Sequence, residues 1–305
     1  MDLLEPSRFF TVPFFLFYPE MRLAIFARRA VRKMIKNGHY DYIHIETEAF
    51  LGLYARRACV SAGIPFTTSL HGQHHLYAKE WLGDFFEKIL IRIIVWFHAP
   101  ARATIVSTEA MREELLTFGL KRVFVRPLGV SETFFSRGVC PVGLEKPVFM
   151  YMGRISSEKN IGEFLSADLR GTKLVVGDGP DRNALERQFP KAKFVGAQKG
   201  EQLIAWCSCA DVMVMPSRTE TFGLSMVETL ALGIPIAAHD VTGPREIVKS
   251  GVNGYLDENL ARAAKLCLTL SREACRDSVR NFTWSASAER FLEILHNVRS
   301  GNVVS

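Results

Sequence analysis

The sequence predicts an α/β protein of two doubly wound, Rossmann-like domains facing a cleft. From about residue 40, short β-branched or apolar runs alternate with helical stretches, the pattern of parallel sheets covered by helices on both faces. The series breaks once, at a Gly/Pro-bearing stretch near 128–147, and then resumes. A chain of 305 residues is also long enough for about two domains of ordinary size. The expected division is a partial first domain over 1–140, a second over 141–283, and a C-terminal helix over 284–305. That last helix follows no further strand, so it must pack elsewhere, on the first domain.

In the first half, Tyr42–Ile45, Phe66–Ser69, Thr104–Ser107 and Val123–Val125 read as strands. Ala49–Ala62, Trp81–His98 and Glu109–Phe118 read as the helices between them. In the second half, strands are expected at Val148–Tyr151, Lys173–Val176, Lys193–Val195, Val212–Met215 and Ile234–Ala237, and a final helix near Trp284–Val298.

Composition narrows the function. With 48% hydrophobic and 23% charged residues, long disorder and fibrous repeats are excluded. No apolar run approaches the ~20 residues of a membrane-spanning helix, and the start, MDLLEPSRFF, lacks the features of a secretion signal. A cytoplasmic protein is expected. The six cysteines (59, 140, 207, 209, 267 and 275) form no C-x-x-C pair and mostly sit in apolar segments, so buried free thiols are expected. The net charge is +6, and Met21–Gly38 carries Arg22, Arg28, Arg29, Arg32, Lys33 and Lys36 with no acidic residue. Phosphates or anionic headgroups fit such a basic helix. Nucleic acid is not expected, because no reader motif accompanies the charge.

Ligands of open parallel sheets bind beyond the carboxyl ends of the strands, so the loops after strands hold the candidate site. In the loop after VFMY, Gly153 permits a tight exit, and Arg154 and Lys159 could cradle a diphosphate or simply be solvated. After the next strand, Gly177-Asp178-Gly179 fits either a nucleotide loop or a plain turn, because Arg182 stands where a third glycine would. The loop Pro216–Gly223 carries Glu220 and leads into a helix. Glu228, eight residues later among Met226, Val227, Leu230 and Ala231, is then a largely buried carboxylate in need of a partner. In the first half, His71 ends a strand and is placed to meet a ligand, whereas His74 and His75 read as surface residues at a helix start. A metal at this H-x-x-H-H run is not expected, because no acidic residue or cysteine follows until Glu80.

The runs GRISSEKN, VGDGP, PSRTETFGLSMVETLALGIPIAA and GPREIVKSGVNGYL resemble the donor domain of retaining GT-B glycosyltransferases of family 4 (glycosyl transferases group 1). The signature is an E-x7-E pair, here Glu220 and Glu228. IHIETEAFLGLYARRA and TTSLHGQ resemble the first domain of the mannosyl- and sulfoquinovosyltransferase branch. The resemblance implies transfer of a hexose, mannose first, from a GDP- or UDP-linked sugar to a lipid or glycan, with no other cofactor and no metal. It implies that Arg154, Lys159 and Gly153 hold the diphosphate. Phe222, Gly223 and Leu224 would present backbone N–H groups to the sugar and β-phosphate, beside Gly179. Glu220 would bind sugar hydroxyls, Glu228 the ribose, and His71 would face the transferred sugar.

Family members begin with a strand and a Gly-rich loop that this pattern places before Met1, so the first domain is expected to lack on the order of 60 residues. A non-catalytic nucleotide-sugar-binding remnant or partner subunit is the alternative this raises, and a glycoside hydrolase built on Glu220 and Glu228 is a weaker one. The basic helix near Arg22–Lys36 and the Trp81–Phe97 helix fit peripheral contact with the inner face of an anionic membrane. Phe85, Ile89, Ile93 and Phe97, spaced by four, fit a core stripe equally well.

Overall fold

A computed structural model describes residues 3, 5–14, 18–73, 75–76 and 83–300. The chain divides into two compact units, Met1–Arg126 with Arg290–Ser305, and Pro127–Glu289.

The first unit opens with an antiparallel pair, β1 (Thr11–Phe14) and β2 (Tyr18–Ala24). It continues with α1 (Arg28–Asn37), β3 (His44–Ile45), α2 (Phe50–Ala62), β4 (Thr67–Ser69), α3 (Asp84–His98), β5 (Ala103–Val106), α4 (Glu109–Thr117) and β6 (Val123–Val125). Strands β3-β4-β5-β6 form one parallel sheet in that order. Two sequence readings are corrected here. The expected basic helix starts only after Ala27, so Arg22 lies in β2. The Phe85-to-Phe97 row is not one core stripe: Phe97 is buried, but Phe85 is 69% and Ile93 51% exposed. Helix α3 buries Ile94, Phe97 and His98 instead. The start of the expected helix, Trp81–Leu82, lies outside the described residues.

The second unit holds β7 (Val148–Met152), α5 (Ile161–Ser166), β8 (Thr172–Val176), α6 (Arg182–Gln188), β9 (Lys193–Phe194), α7 (Gly200–Cys207) and β10 (Val212–Met215). Then follow α8 (Leu224–Ala231), β11 (Ile236–Ala238), α9 (Thr242–Ile247), β12 (Gly254–Leu256), α10 (Leu260–Cys267) and α11 (Arg272–Asp277). The sheet is parallel throughout, in the order β12-β11-β10-β7-β8-β9. VFMYM and VMVM are buried along their whole length, as strands covered on both faces must be. The winding reverses between β7 and β10, which places the loops after these strands at a topological switch point.

The last helix, α12 (Trp284–Ser300), places Ile294 against Ala103 and Ile105 of the first unit, and its Arg299 pairs with Asp41 at 2.9 Å. Residues 301–305 lie outside the described residues. Four cysteines are buried and free, but Cys140 and Cys209 are disulfide-bonded, which corrects the expectation of free thiols throughout. The Gly138 amide on Ser208 Oγ at 3.0 Å and the Arg137 guanidinium on the Ser208 carbonyl bring these two segments together, a pairing that no local spacing encodes.

Candidate functional site

The β7 and β8 exits are laced to each other. The amide of Gly153 donates to Val176 O at 3.0 Å and that of Ile155 to Asp178 O at 2.8 Å, while that of Gly177 ties the β8 exit to the β9 exit through Gly196 O at 2.9 Å. The hydroxyl of Tyr151, itself buried, donates to the carbonyl of Arg154 at 2.7 Å and so fixes the main chain of the cationic loop. Nothing in the spacing GRISSEKN pointed to this tyrosine, whose alternation reads only as strand. Asn160, in the left-handed region at φ 51°, ends a short 3₁₀ turn and starts α5, with Lys159 immediately before it.

The switch point brings two of the predicted residues together. Lys159 Nζ, from the β7 loop, donates to Glu220 Oε2, from the β10 loop, at 2.8 Å. Their side chains are 21% and 13% exposed, so the pair is partly withdrawn from solvent screening. The Glu220 loop is pinned from behind by the Gly243 amide on Glu220 O at 2.8 Å. Gly223, at φ 81°, turns the chain into α8, and Phe222 beside it is buried with its ring 6.2 Å from that of Phe282. The amides of Phe222, Gly223 and Leu224 donate no hydrogen bond among the described residues, so this helix start keeps free donors beside Glu220.

Glu228 lies one turn into α8, and its carboxyl has no hydrogen bond or ion pair among the described residues. Burial pushes its carboxyl up to about 7. A carboxyl that prefers to be neutral in the fold stabilises it fully below the unfolded range near 4.5, and that contribution fades as pH rises through 7. The bound on the loss is about 3 kcal/mol. Thermal unfolding should therefore give a Tm that falls between roughly pH 5 and pH 8 in the wild type, a slope that Glu228→Gln removes. Parallel curves for the two proteins would exclude this titration.

Arg154, Gly153 and Gly179 all lie on the two laced loops.

In the first unit, His71 follows β4 and Glu46 follows its parallel neighbour β3, so both stand at the same sheet edge. His71 Nε2 lies 2.8 Å from Glu46 Oε1, and His44 Nε2 lies 2.7 Å from Glu46 Oε2. These hydrogen bonds, that from His44 first, hold the Glu46 carboxyl well below the usual carboxylate range. A carboxylate only accepts, so each Nε2 carries the hydrogen in these bonds. The sequence reading singled out His71 and missed Glu46 and His44. His75 is no surface residue: it is 2% exposed, with Nε2 3.1 Å from Glu114 Oε1. His71 and His75 thus turn to different carboxylates, and His74 lies outside the described residues.

Sequence comparison adds the family. The model of the glycosyl transferases group 1 matches residues 146–272, and that of glycosyltransferase family 4 matches residues 3–134. The chain belongs to the family 4 glycosyltransferases. This family 4 chain is similar to a GDP-mannose-dependent alpha-mannosyltransferase of Corynebacterium glutamicum, 28% identical over 299 residues, which is 87% of this chain and 69% of the relative. It is also similar to the sulfoquinovosyl transferase SQD2 of Arabidopsis thaliana, 28% identical over 82% of this chain and 52% of the relative. The chain thus spans between about half and two-thirds of such curated relatives. Among solved structures, sucrose-phosphate synthase of Thermosynechococcus elongatus matches with a TM-score of 0.71 at 20% identity, over 90% of this chain and 79% of that one. HepE of Anabaena in complex with UDP matches with a TM-score of 0.66 at 18% identity, over 90% and 81%. The fold of this family 4 glycosyltransferase is GT-B.

Proposed function

We propose that the protein transfers a hexose, mannose first, from a GDP- or UDP-linked sugar to a lipid or glycan acceptor, with retention of configuration and without a metal on the leaving group. We place it on the cytoplasmic side, in peripheral contact with an anionic membrane. One observation carries the reading: Lys159 meets Glu220 across the switch point of the second unit, beside a helix start with free amides. Breaking a glycosyl–phosphate bond leaves negative charge on the diphosphate and oxocarbenium character on the sugar. Lys159, Arg154 and the α8 amides are the groups that would neutralise the first, and preorganised charge of this kind is the largest single contribution in many enzymes. Glu220 would take sugar hydroxyls, and the unpartnered Glu228 the ribose, whose paired hydroxyls supply the donors a buried carboxylate lacks. In same-face transfer the C1–O bond to phosphate breaks, the acceptor oxygen bonds C1, and its proton passes to the departing phosphate oxygen. No protein nucleophile is required.

The sugar nucleotide of the Corynebacterium relative's name favours GDP-mannose as first donor. Incubation of the chain with a panel of nucleotide sugars and lipid acceptors should yield product fastest from GDP-mannose. No transfer from any donor, with no heat of binding for GDP or UDP, would remove the reading.

A further inference from the structure

Helices α1 and α2 pack through Val31, Ile35, Ala58 and Cys59, which join one apolar cluster. This packing aligns Arg28 and Arg32, one turn apart on α1, with Tyr54, Arg57 and Ser61 on α2. The five polar side chains and Ala58 line a cavity of about 210 Å³. Among the described residues no carboxylate lines it, and neither helix contains an acidic residue. Among the described residues, none of the three guanidinium groups has a hydrogen bond or ion pair. Their neighbour Arg56 is different: it donates to Phe97 O at 2.9 Å and Trp96 O at 2.6 Å and lies over the Trp96 ring, a structural arginine with its fork filled.

Like charges at this spacing repel each other and destabilise a helix. Three arginines around one hollow, without a counter-charge among the described residues, therefore describe a site for an anion with several acceptor oxygens. A guanidinium fork matches a phosphate in shape as well as charge, and Tyr54 adds a hydroxyl donor, whereas the Ser61 hydroxyl already donates to Ala58 O at 3.1 Å. The cavity has room for one phosphodiester.

A second feature says where that phosphate is. Phe26, two residues before Arg28, is 84% exposed and sits in the left-handed region at φ 65°. The ring of Phe10, itself 67% exposed, lies 6.4 Å from it. Two exposed aromatic rings, with Phe26 just before the helix that carries Arg28, Arg29, Arg32, Lys33 and Lys36, combine apolar surface and cations, the composition of a surface that lies in a membrane interface.

We propose that the hollow between α1 and α2 seats the phosphate of an anionic phospholipid headgroup while Phe10 and Phe26 enter the interfacial layer. The proposal deepens the peripheral-membrane part of the function above by naming the lipid phosphate and its seat, and it needs neither donor nor turnover for its test.

Flotation with phosphatidylcholine vesicles, with and without phosphatidylglycerol, reads it directly. The wild type should float only with the anionic vesicles. Arg28→Gln/Arg32→Gln/Arg57→Gln should partition roughly a hundredfold more weakly. The deciding variant is Arg28→Lys/Arg32→Lys/Arg57→Lys, which keeps every charge and loses the forks. A seated phosphate predicts about tenfold weaker partitioning for it; partitioning equal to wild type would mean diffuse attraction only and overturn the seat. Phe26→Ser should also weaken flotation. Heat of binding for inorganic phosphate at the same site with no flotation on any vesicle would overturn the lipid assignment. Binding of GDP or UDP by the second unit should be unchanged in all three variants, which separates failure of the seat from failure of the transferase reading.

Discussion

Replacing Lys159 by alanine should weaken binding of GDP and UDP by roughly 10- to 100-fold in a calorimetric titration, the range of one charge-assisted hydrogen bond to an anion. The lysine is held by Glu220 at 2.8 Å in a partly buried position, so its ammonium is already placed and little side-chain freedom is lost when a diphosphate arrives. The same substitution strands Glu220, with its side chain only 13% exposed, and should lower Tm as well. The two effects come apart in Lys159→Ala/Glu220→Gln. Removing the stranded charge should restore much of the stability and none of the nucleotide affinity. Unchanged affinity in the single variant would take the diphosphate away from this loop.

A larger effect on the fold is expected from Gly177→Ala. At φ 152° only glycine sits without strain, and a Cβ there would lie 1.8 Å from the carbonyl oxygen of Gly153. That oxygen belongs to main chain laced to the β8 exit from both sides, so it has nowhere to retreat. The cost should be roughly 3–5 kcal/mol, at the upper end for single substitutions, read as a fall in Tm or denaturation midpoint. The displaced backbone also carries Arg154, so any folded fraction should bind nucleotide poorly. Gly162→Ala is the matched control. It lies in α5 with open space around its would-be side chain and should be neutral or slightly stabilising. A mild effect at Gly177 would show that the two loops can part.

The sequence made the parallel sheets legible because buried strands such as VMVM are continuous apolar runs, and burial on both faces leaves no alternation to confuse with a helix. It missed β1 and β2, where Pro13, Pro19 and Arg22 interrupt the strand pattern, and β12, whose three residues GYL follow a glycine-rich turn. The site was legible where one loop carries its chemistry: Lys159, Glu220 and Glu228 could be singled out from local context. Partnerships made across strands could not. Glu46 meets His71 only because β3 and β4 pair in parallel, and His75 is buried because Glu114 comes to it from α4. Tyr151 is the same kind of omission, since a hydroxyl that ties its own loop looks like any other strand aromatic until the turn is seen. Cys140 and Cys209, 69 residues apart, carry no local sign of their bond.

The direct grip of Lys159 on Glu220 bears on turnover under the proposed reaction. A donor that carries both pyrophosphate and sugar gives each partner a replacement when it parts them. The spent nucleotide replaces only one, leaving a carboxylate that competes to recapture its lysine. Departure of the by-product is thus favoured by the same two side chains that welcome the substrate, and the asymmetry needs no moving part beyond a lysine swinging home.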